Sequence, residues 1–178
     1  MTICDNDLKI LVQLISTFIT ATVALYIFFN WKKQKGTEVI ANESKEAIKE
    51  LLDMVYIASK LEGYKYHQED LSQIKNHLEK FSTTGDLVIK RLYFINQSID
   101  VKKLKDSIDN YQLNEIGLIN HHDKCIKDPF LRPNLSSTNK QKNTASKNIY
   151  FTQFIINADI IISLLQPYST YRSTPKFK

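Results

Sequence analysis

Residues 10–35 read ILVQLISTFITATVALYIFFNWKKQK, an uncharged run that ends at a cluster of lysines. The run covers residues 10–29 without one Asp, Glu, Lys or Arg. At about 1.5 Å of rise per residue, a helix of this length crosses a hydrocarbon core of about 30 Å. The stretch therefore predicts a transmembrane helix over residues 10–31, at the start of an all-α chain.

Two other kinds of segment share this apolarity, a cleaved signal peptide and the core helix of a soluble domain. A signal peptide begins with a basic region, whereas Asp5, Asp7 and Lys9 precede the run here. Residues 22–24 (Thr-Val-Ala) imitate a cleavage site, but the apolar residues continue beyond them to residue 29. A soluble core helix is normally shorter and carries a polar stripe. The sequence therefore favours an uncleaved membrane span.

The flanks of the run indicate its orientation, because lysines collect on the cytoplasmic side of a span and Trp prefers the interface. The residues of this membrane-interface clamp are Trp31, Lys32, Lys33 and Lys35. The opposite flank carries two Asp and one Lys. We therefore expect a single-pass protein of the inner (plasma) membrane, with an external tail at residues 1–9 and its C-terminal domain in the cytoplasm. The lipid bilayer is its first expected partner.

One side of the predicted span is small and polar. Its residues recur at spacings of three and four, and we call them the association face: Gln13, Ser16, Thr17, Thr20, Ala21 and Ala24. Small residues allow two helices to approach closely, and polar side chains can then form hydrogen bonds between them. The face predicts self-association or docking onto another membrane protein. The alternative is a monomeric tether whose Ser and Thr hydroxyls bond their own backbone.

Charge and cysteine content limit the expected partners. Residues 36–178 contain 20 of the 24 Lys and Arg and 17 of the 19 Asp and Glu, a net charge of only +3. The lysines are dispersed, so no nucleic-acid partner is expected. Cys4 and Cys125 fall on opposite sides of the predicted membrane. They are therefore not expected to pair within one chain.

Apolar periodicity predicts a cytoplasmic helical domain over residues 32–166, an antiparallel bundle of about five helices. The predicted helices cover residues 37–62, 71–81, 88–99, 101–111 and 113–127. The predicted core stripe of the first is Ile40, Ser44, Ala47, Leu51, Met54, Ala58 and Leu61, widened by Ile48, Leu52 and Val55. Residues 87–95 also fit a strand. A polar stretch at 129–147 predicts a flexible loop, and residues 167–178 a C-terminal tail.

Residues 149–165 form a second strongly apolar stretch. Polar residues interrupt it, and an Asp such as Asp159 costs about 2.5–3.5 kcal/mol at bilayer depth. A second span is therefore disfavoured. A helix that is apolar almost all round predicts the buried centre of the bundle.

Residues 121–125 (His-His-Asp-Lys-Cys) are the one dense group of candidate metal ligands or nucleophiles. On a helix, His121 and Cys125 share a side, while His122 points elsewhere. Zinc needs three or four converging ligands, and no Cys-x-x-Cys or His-Glu-x-x-His spacing supplies them. The four glycines are isolated, which argues against a phosphate-binding loop. We therefore expect no metal, no cofactor and no small-molecule substrate.

These features favour a membrane-anchored helical interaction or regulatory protein over an enzyme. Such a protein acts by recruiting a protein partner or a second copy of itself at the membrane. The alternative function is a membrane-perturbing effector that acts through oligomerisation of the transmembrane helix.

Overall fold

The computed structural model describes residues 5–64, 66–67, 69–99, 101–128, 149–171 and 175, with side chains from Lys9 onward. Four α-helices contain most of these residues: α1 (Asp5–Gly63), α2 (Leu71–Ser98), α3 (Lys102–Lys127) and α4 (Ile149–Ser169). The described residues contain no strand, which confirms an all-α protein and excludes the strand alternative at 87–95. The predicted loop at 129–147 lies outside the described residues.

The chain divides into two units, Met1–Val39 and Ile40–Lys178. In the first unit, every side chain from Lys9 to Lys35 is exposed. α1 and α4 are both long and apolar enough to cross a membrane, by length and composition alone. Signal sequences and buried helices of soluble proteins share these properties.

The second unit has a core built from one stripe of each helix. On α1 the buried residues repeat every three or four positions, and all seven positions of the predicted stripe are buried. Ile48 and Val55 are partly buried at its edge, but Leu52 is 54% exposed, so its assignment to the stripe was wrong. The periodic apolar residues of α2 and α3 that are fully buried are Ile74, Phe81, Val88, Leu92, Ile95, Leu104, Ile108, Tyr111 and Leu118.

The predicted boundaries between residues 81 and 88 and between residues 111 and 113 are absent, and the described residues form four helices where about five were expected. α2 continues through Gly85, and α3 continues through Gly117. None of the described glycines has a positive φ, so neither residue makes the turn that favours glycine. A side chain at Gly85 would overlap the Glu115 carboxyl, and one at Gly117 would overlap the Tyr150 ring. Both glycines therefore serve close packing.

Polar contacts join the helices at the edge of this core. Arg91 on α2 lies 2.8 Å from Glu43 and 3.1 Å from Glu50, both on α1. The Tyr93 hydroxyl on α2 donates a hydrogen bond of 2.7 Å to Asp109 on α3. Glu43 and Glu50 of α1 therefore form ion pairs with α2 and are not simply solvated charges.

α4 is not the buried centre that its composition predicted. Its buried residues, including Phe154, Ala158 and Ile161, lie on one side, while Ile156 and Ile160 are exposed. Phe154 packs against Phe81 and Tyr111, with ring centroids 5.3 and 4.8 Å away. Periodicity could not reveal this orientation, because α4 is apolar on both sides. The helix also continues past Pro167 to Ser169.

Replacing Phe154 with Ala tests which side of α4 is buried. We expect a loss of about 3–5 kcal/mol in the free energy of unfolding, because the change leaves a cavity beside the rings of Phe81 and Tyr111. Ile156→Ala is the matched control and should change it by less than about 1 kcal/mol, since Ile156 is exposed. Urea titration of the full-length protein in detergent measures both. Equal losses would contradict this orientation.

Candidate functional site

The association face lies on the exposed surface of α1. All six of its residues are exposed. At about 100° per residue, they fall within an arc of about 140° around the helix axis. Thr22 lies on the opposite side, so it serves as an internal reference for the face. The helix therefore brings together the small and polar residues that the sequence singled out.

Threonine hydroxyls in this segment bond to their own helix. Thr17 donates to the Gln13 carbonyl and Thr20 to the Ser16 carbonyl, each at 2.8 Å. Thr22, on the opposite side, makes the same kind of bond to Phe18. The donors are thus used locally, while each hydroxyl oxygen can still accept. The group best placed to donate to a neighbouring helix is the carboxamide of Gln13, which makes no hydrogen bond within the described residues.

The clamp residues Trp31, Lys32, Lys33 and Lys35 are all exposed. The Trp31 ring lies 6.4 Å from that of Phe28. Lys35 forms an ion pair of 2.8 Å with Glu38, and the hydrogen bond and charge of that carboxylate raise the Lys35 pKa. The clamp therefore combines an aromatic ring with three lysine charges, and Glu38 partly offsets the charge of Lys35.

The candidate ligands of α3 separate onto different sides of the helix. His121 Nε2 lies 3.9 Å from Cys125 Sγ, which confirms that these two residues share a side. His122 is buried and forms a hydrogen bond through Nδ1 with the Tyr66 hydroxyl. No group of three His, Cys, Asp or Glu within the described part of the chain could hold a metal ion. Cys125 is only 1% exposed, which is unfavourable for a nucleophile.

Burial sets the protonation of this cluster. Burial, and to a smaller extent His121, lowers the pKa of His122 to about 4. Burial, with the Cys125 thiol next, raises the pKa of Tyr66. Both groups are therefore neutral near pH 7. Tyr66 has a positive φ of 57°, a backbone conformation that non-glycine residues rarely adopt. The cluster thus fixes the α1–α2 connection to α3 through a buried neutral hydrogen bond.

Two polar features were missed by the sequence reasoning. One is Arg91, which pairs with two carboxylates of α1 from a position 41–48 residues away. The other is Glu115, a carboxylic acid that is 4% exposed on α3. Its position on the buried stripe of α3 (Leu104, Ile108, Tyr111, Leu118) was the available signal, since Glu115 falls four residues after Tyr111.

Comparison with protein-family models, with curated proteins and with solved structures finds no match to this chain.

The lowered pKa of His122 predicts that the contribution of this residue to stability is lost in acid. The unfolded chain gains a proton on this residue below a pKa of about 6.5, whereas the folded chain gains it only near a pKa of about 4. The contribution of neutral His122 to the free energy of unfolding is therefore complete above pH 6.5 and is lost as the pH falls towards 4. The loss is about 3 kcal/mol at most.

The His122→Gln variant should lack this contribution, so its unfolding free energy at about pH 5 relative to about pH 7.5 should exceed that of the wild type by about 2 kcal/mol. The exposed His67→Gln variant is the control and should keep the wild-type difference. Urea titration at about pH 7.5 and about pH 5 gives the difference in unfolding free energy for each protein. An unchanged acid dependence in His122→Gln would show that this histidine is charged in the folded protein.

Proposed function

We propose that this protein is a single-pass, membrane-anchored helical interaction protein. In this proposal, residues 10–31 span the inner (plasma) membrane, and residues 32–166 form a cytoplasmic domain. It acts by recruiting a protein partner or a second copy to the membrane surface. Effective concentration alone gives such a tether a regulatory effect, because both partners are confined to one surface.

The apolar surface of α1 carries this proposal. Every large apolar side chain from Ile10 to Trp31 is exposed in its unit. Removing one such side chain from water is worth about 1.5–3 kcal/mol, so the segment as a whole gains tens of kcal/mol from an apolar environment. A bilayer covers a single helix on all sides, which matches an exposed surface that surrounds the helix.

The orientation rests on the clamp. Moving the lysines at 32, 33 and 35 across a membrane is unfavourable, and the aromatic ring of Trp31 suits the interface beside them. An N-terminus outside and a C-terminal domain in the cytoplasm follow from this asymmetry.

We further propose that α2, α3, α4 and the buried part of α1 form an antiparallel four-helix bundle. Contacts between successive helices support this arrangement. Tyr93 of α2 contacts Asp109 of α3. Gly85, which comes earlier in α2, contacts Glu115, which comes later in α3, so these two helices run antiparallel. Between α3 and α4, Gly117 lies against Tyr150, whereas Tyr111, earlier in α3, packs against Phe154, later in α4. This order of contacts is that of two antiparallel helices. Lys45 of α1 lies over the Tyr171 ring beyond α4, at 5.1 Å from its centre.

Charges placed in the span test the anchor. The double change Ile15→Arg and Phe18→Arg should cost about 5–7 kcal/mol of insertion free energy, at about 2.5–3.5 kcal/mol for each arginine. The control places arginines at Leu113 and Ile116, which are exposed on α3. Alkaline extraction of membranes should release the first variant and leave the control bound. Retention of the first variant would contradict a span at 10–31.

Bulky residues on the association face test recruitment of a second copy. With Cys4 and Cys125 replaced by Ser, a Ser16→Cys variant should form disulfide-linked dimers in membranes. Adding Thr20→Leu and Ala24→Leu should lower the association constant about threefold or more, since contacts across such interfaces are worth about 0.6–2 kcal/mol.

The control for this test is Thr22→Leu, because Thr22 makes the same local hydrogen bond on the opposite side. It should leave crosslinking unchanged. Crosslinking that is insensitive to Thr20→Leu and Ala24→Leu would show that the face does not mediate association, and recruitment of a different protein would then be the surviving form of the proposal.

A further inference from the structure

A notch in α2 receives a carboxyl group from α3. Gly85 is buried in the middle of α2, and a Cβ atom at this position would lie 2.6 Å from Glu115 Cδ and would overlap Oε1. The end of the Glu115 side chain therefore occupies the space that any other residue at position 85 would fill. The fit depends on both residues, since Glu115 of α3 supplies the carboxyl and the absence of a side chain at Gly85 of α2 leaves the space for it.

The surroundings of this carboxyl favour its neutral form. Within the described residues, no hydrogen-bond partner reaches Glu115 Oε2 or the hydroxyl of Tyr111, one turn earlier on α3. Asp86, which follows Gly85 on α2, is negative and disfavours a second negative charge at Glu115. α4 brings the aromatic ring of Tyr150 against Gly117. The buried residues of α1 that are described include no titratable side chain.

A carboxylate at this position would be both desolvated and repelled. An unpaired buried charge costs several kcal/mol unless it is neutralised or moves to solvent. Burial, with a smaller effect from Asp86, accordingly raises the pKa of Glu115 to about 7. Burial also raises the pKa of Tyr111, so this neighbour stays neutral.

We propose that the α2–α3 contact is a proton-operated device, in which the neutral Glu115 carboxyl seats in the Gly85 notch and the ionised carboxyl leaves it. Since both residues are central in their helices, departure of the carboxyl loosens the packing of α2 on α3. The α2–α3 contact is therefore tighter on the acid side of neutrality and looser on the alkaline side. This inference does not depend on membrane anchoring.

The sign of the effect is opposite to that of His122. A carboxyl with a raised pKa binds its proton more tightly in the folded chain, so folding weakens as the pH rises from about 4.5 to about 7. The folding equilibrium constant changes by about 300-fold over the full interval, and by roughly 30-fold between about pH 5.5 and about pH 8. His122, seven residues later, loses stability towards acid, so the two groups largely offset each other in the intact protein.

The experiment compares full-length variants in detergent by urea titration at about pH 5.5 and about pH 8. For each protein, the readout is the ratio of its folding equilibrium constants at the two pH values. In Glu115→Gln, which keeps the shape without the charge, we expect a ratio roughly 30-fold smaller than in the wild type. Gly85→Ala should give the same small ratio, because its methyl group displaces the carboxyl from the notch.

Gly63→Ala is the matched control, since a Cβ atom at Gly63 meets nothing within 4 Å. It should keep the wild-type ratio. Asp86→Asn retains Glu115 but removes the negative charge that raises its pKa, so the midpoint of the pH dependence of folding should move to lower pH. This variant keeps the test decisive if Glu115→Gln fails to fold. Amide hydrogen exchange, corrected for intrinsic rates, should show less protection around residues 85 and 115 at the higher pH in the wild type and in Gly63→Ala, but not in Glu115→Gln or Gly85→Ala.

A wild-type ratio in Glu115→Gln would overturn the proposal, because another group would then carry the pH dependence. A wild-type ratio in Gly85→Ala would also overturn it, since the carboxyl would titrate in the same way without the notch. Protection that does not change with pH in the wild type would show that the carboxyl ionises without leaving its place.

Discussion

The exposed apolar surface of residues 10–31 is the constraint on which the functional account depends. Water cannot cover it without a cost of tens of kcal/mol, and the unit that contains it, Met1–Val39, offers no core to bury it. A bilayer satisfies the constraint, and the lysines that follow then set the proposed orientation. The remaining helices have their own core, so the anchor and the folded unit can be altered separately.

Close packing in the second unit depends on glycine in place of a larger side chain. Gly85 and Gly117 both lie inside long helices, where glycine costs about 1 kcal/mol relative to alanine. A side chain of the next helix fills the space beside each glycine, Glu115 at Gly85 and Tyr150 at Gly117. Two buried titratable groups of α3, Glu115 and His122, then respond to pH with opposite sign. A nearly flat pH profile of the intact protein is therefore compatible with two strong opposing contributions.

Sequence periodicity predicted the all-α class and seven buried positions of α1, though not Ala41 and Ile57, because one side of that helix is apolar and the other is charged. It failed where that contrast is missing. α4 is apolar on both sides, so its exposed surface with Ile156 and Ile160 could not be distinguished from its buried one. The packing roles of Gly85 and Gly117 were not predicted, because they depend on residues far away in the sequence. Arg91 was missed for the same reason, since its partners lie on α1.

The most direct test of the proposed anchor is a scan of single cysteines from residue 9 to residue 36, with Cys4 and Cys125 replaced. Cells are labelled with a membrane-impermeant maleimide before and after permeabilisation. The account predicts labelling at position 9 in intact cells, no labelling within 13–29, and labelling at position 35 only after permeabilisation. Labelling throughout 13–29, or labelling of position 35 in intact cells, would contradict a span with a cytoplasmic C-terminal domain.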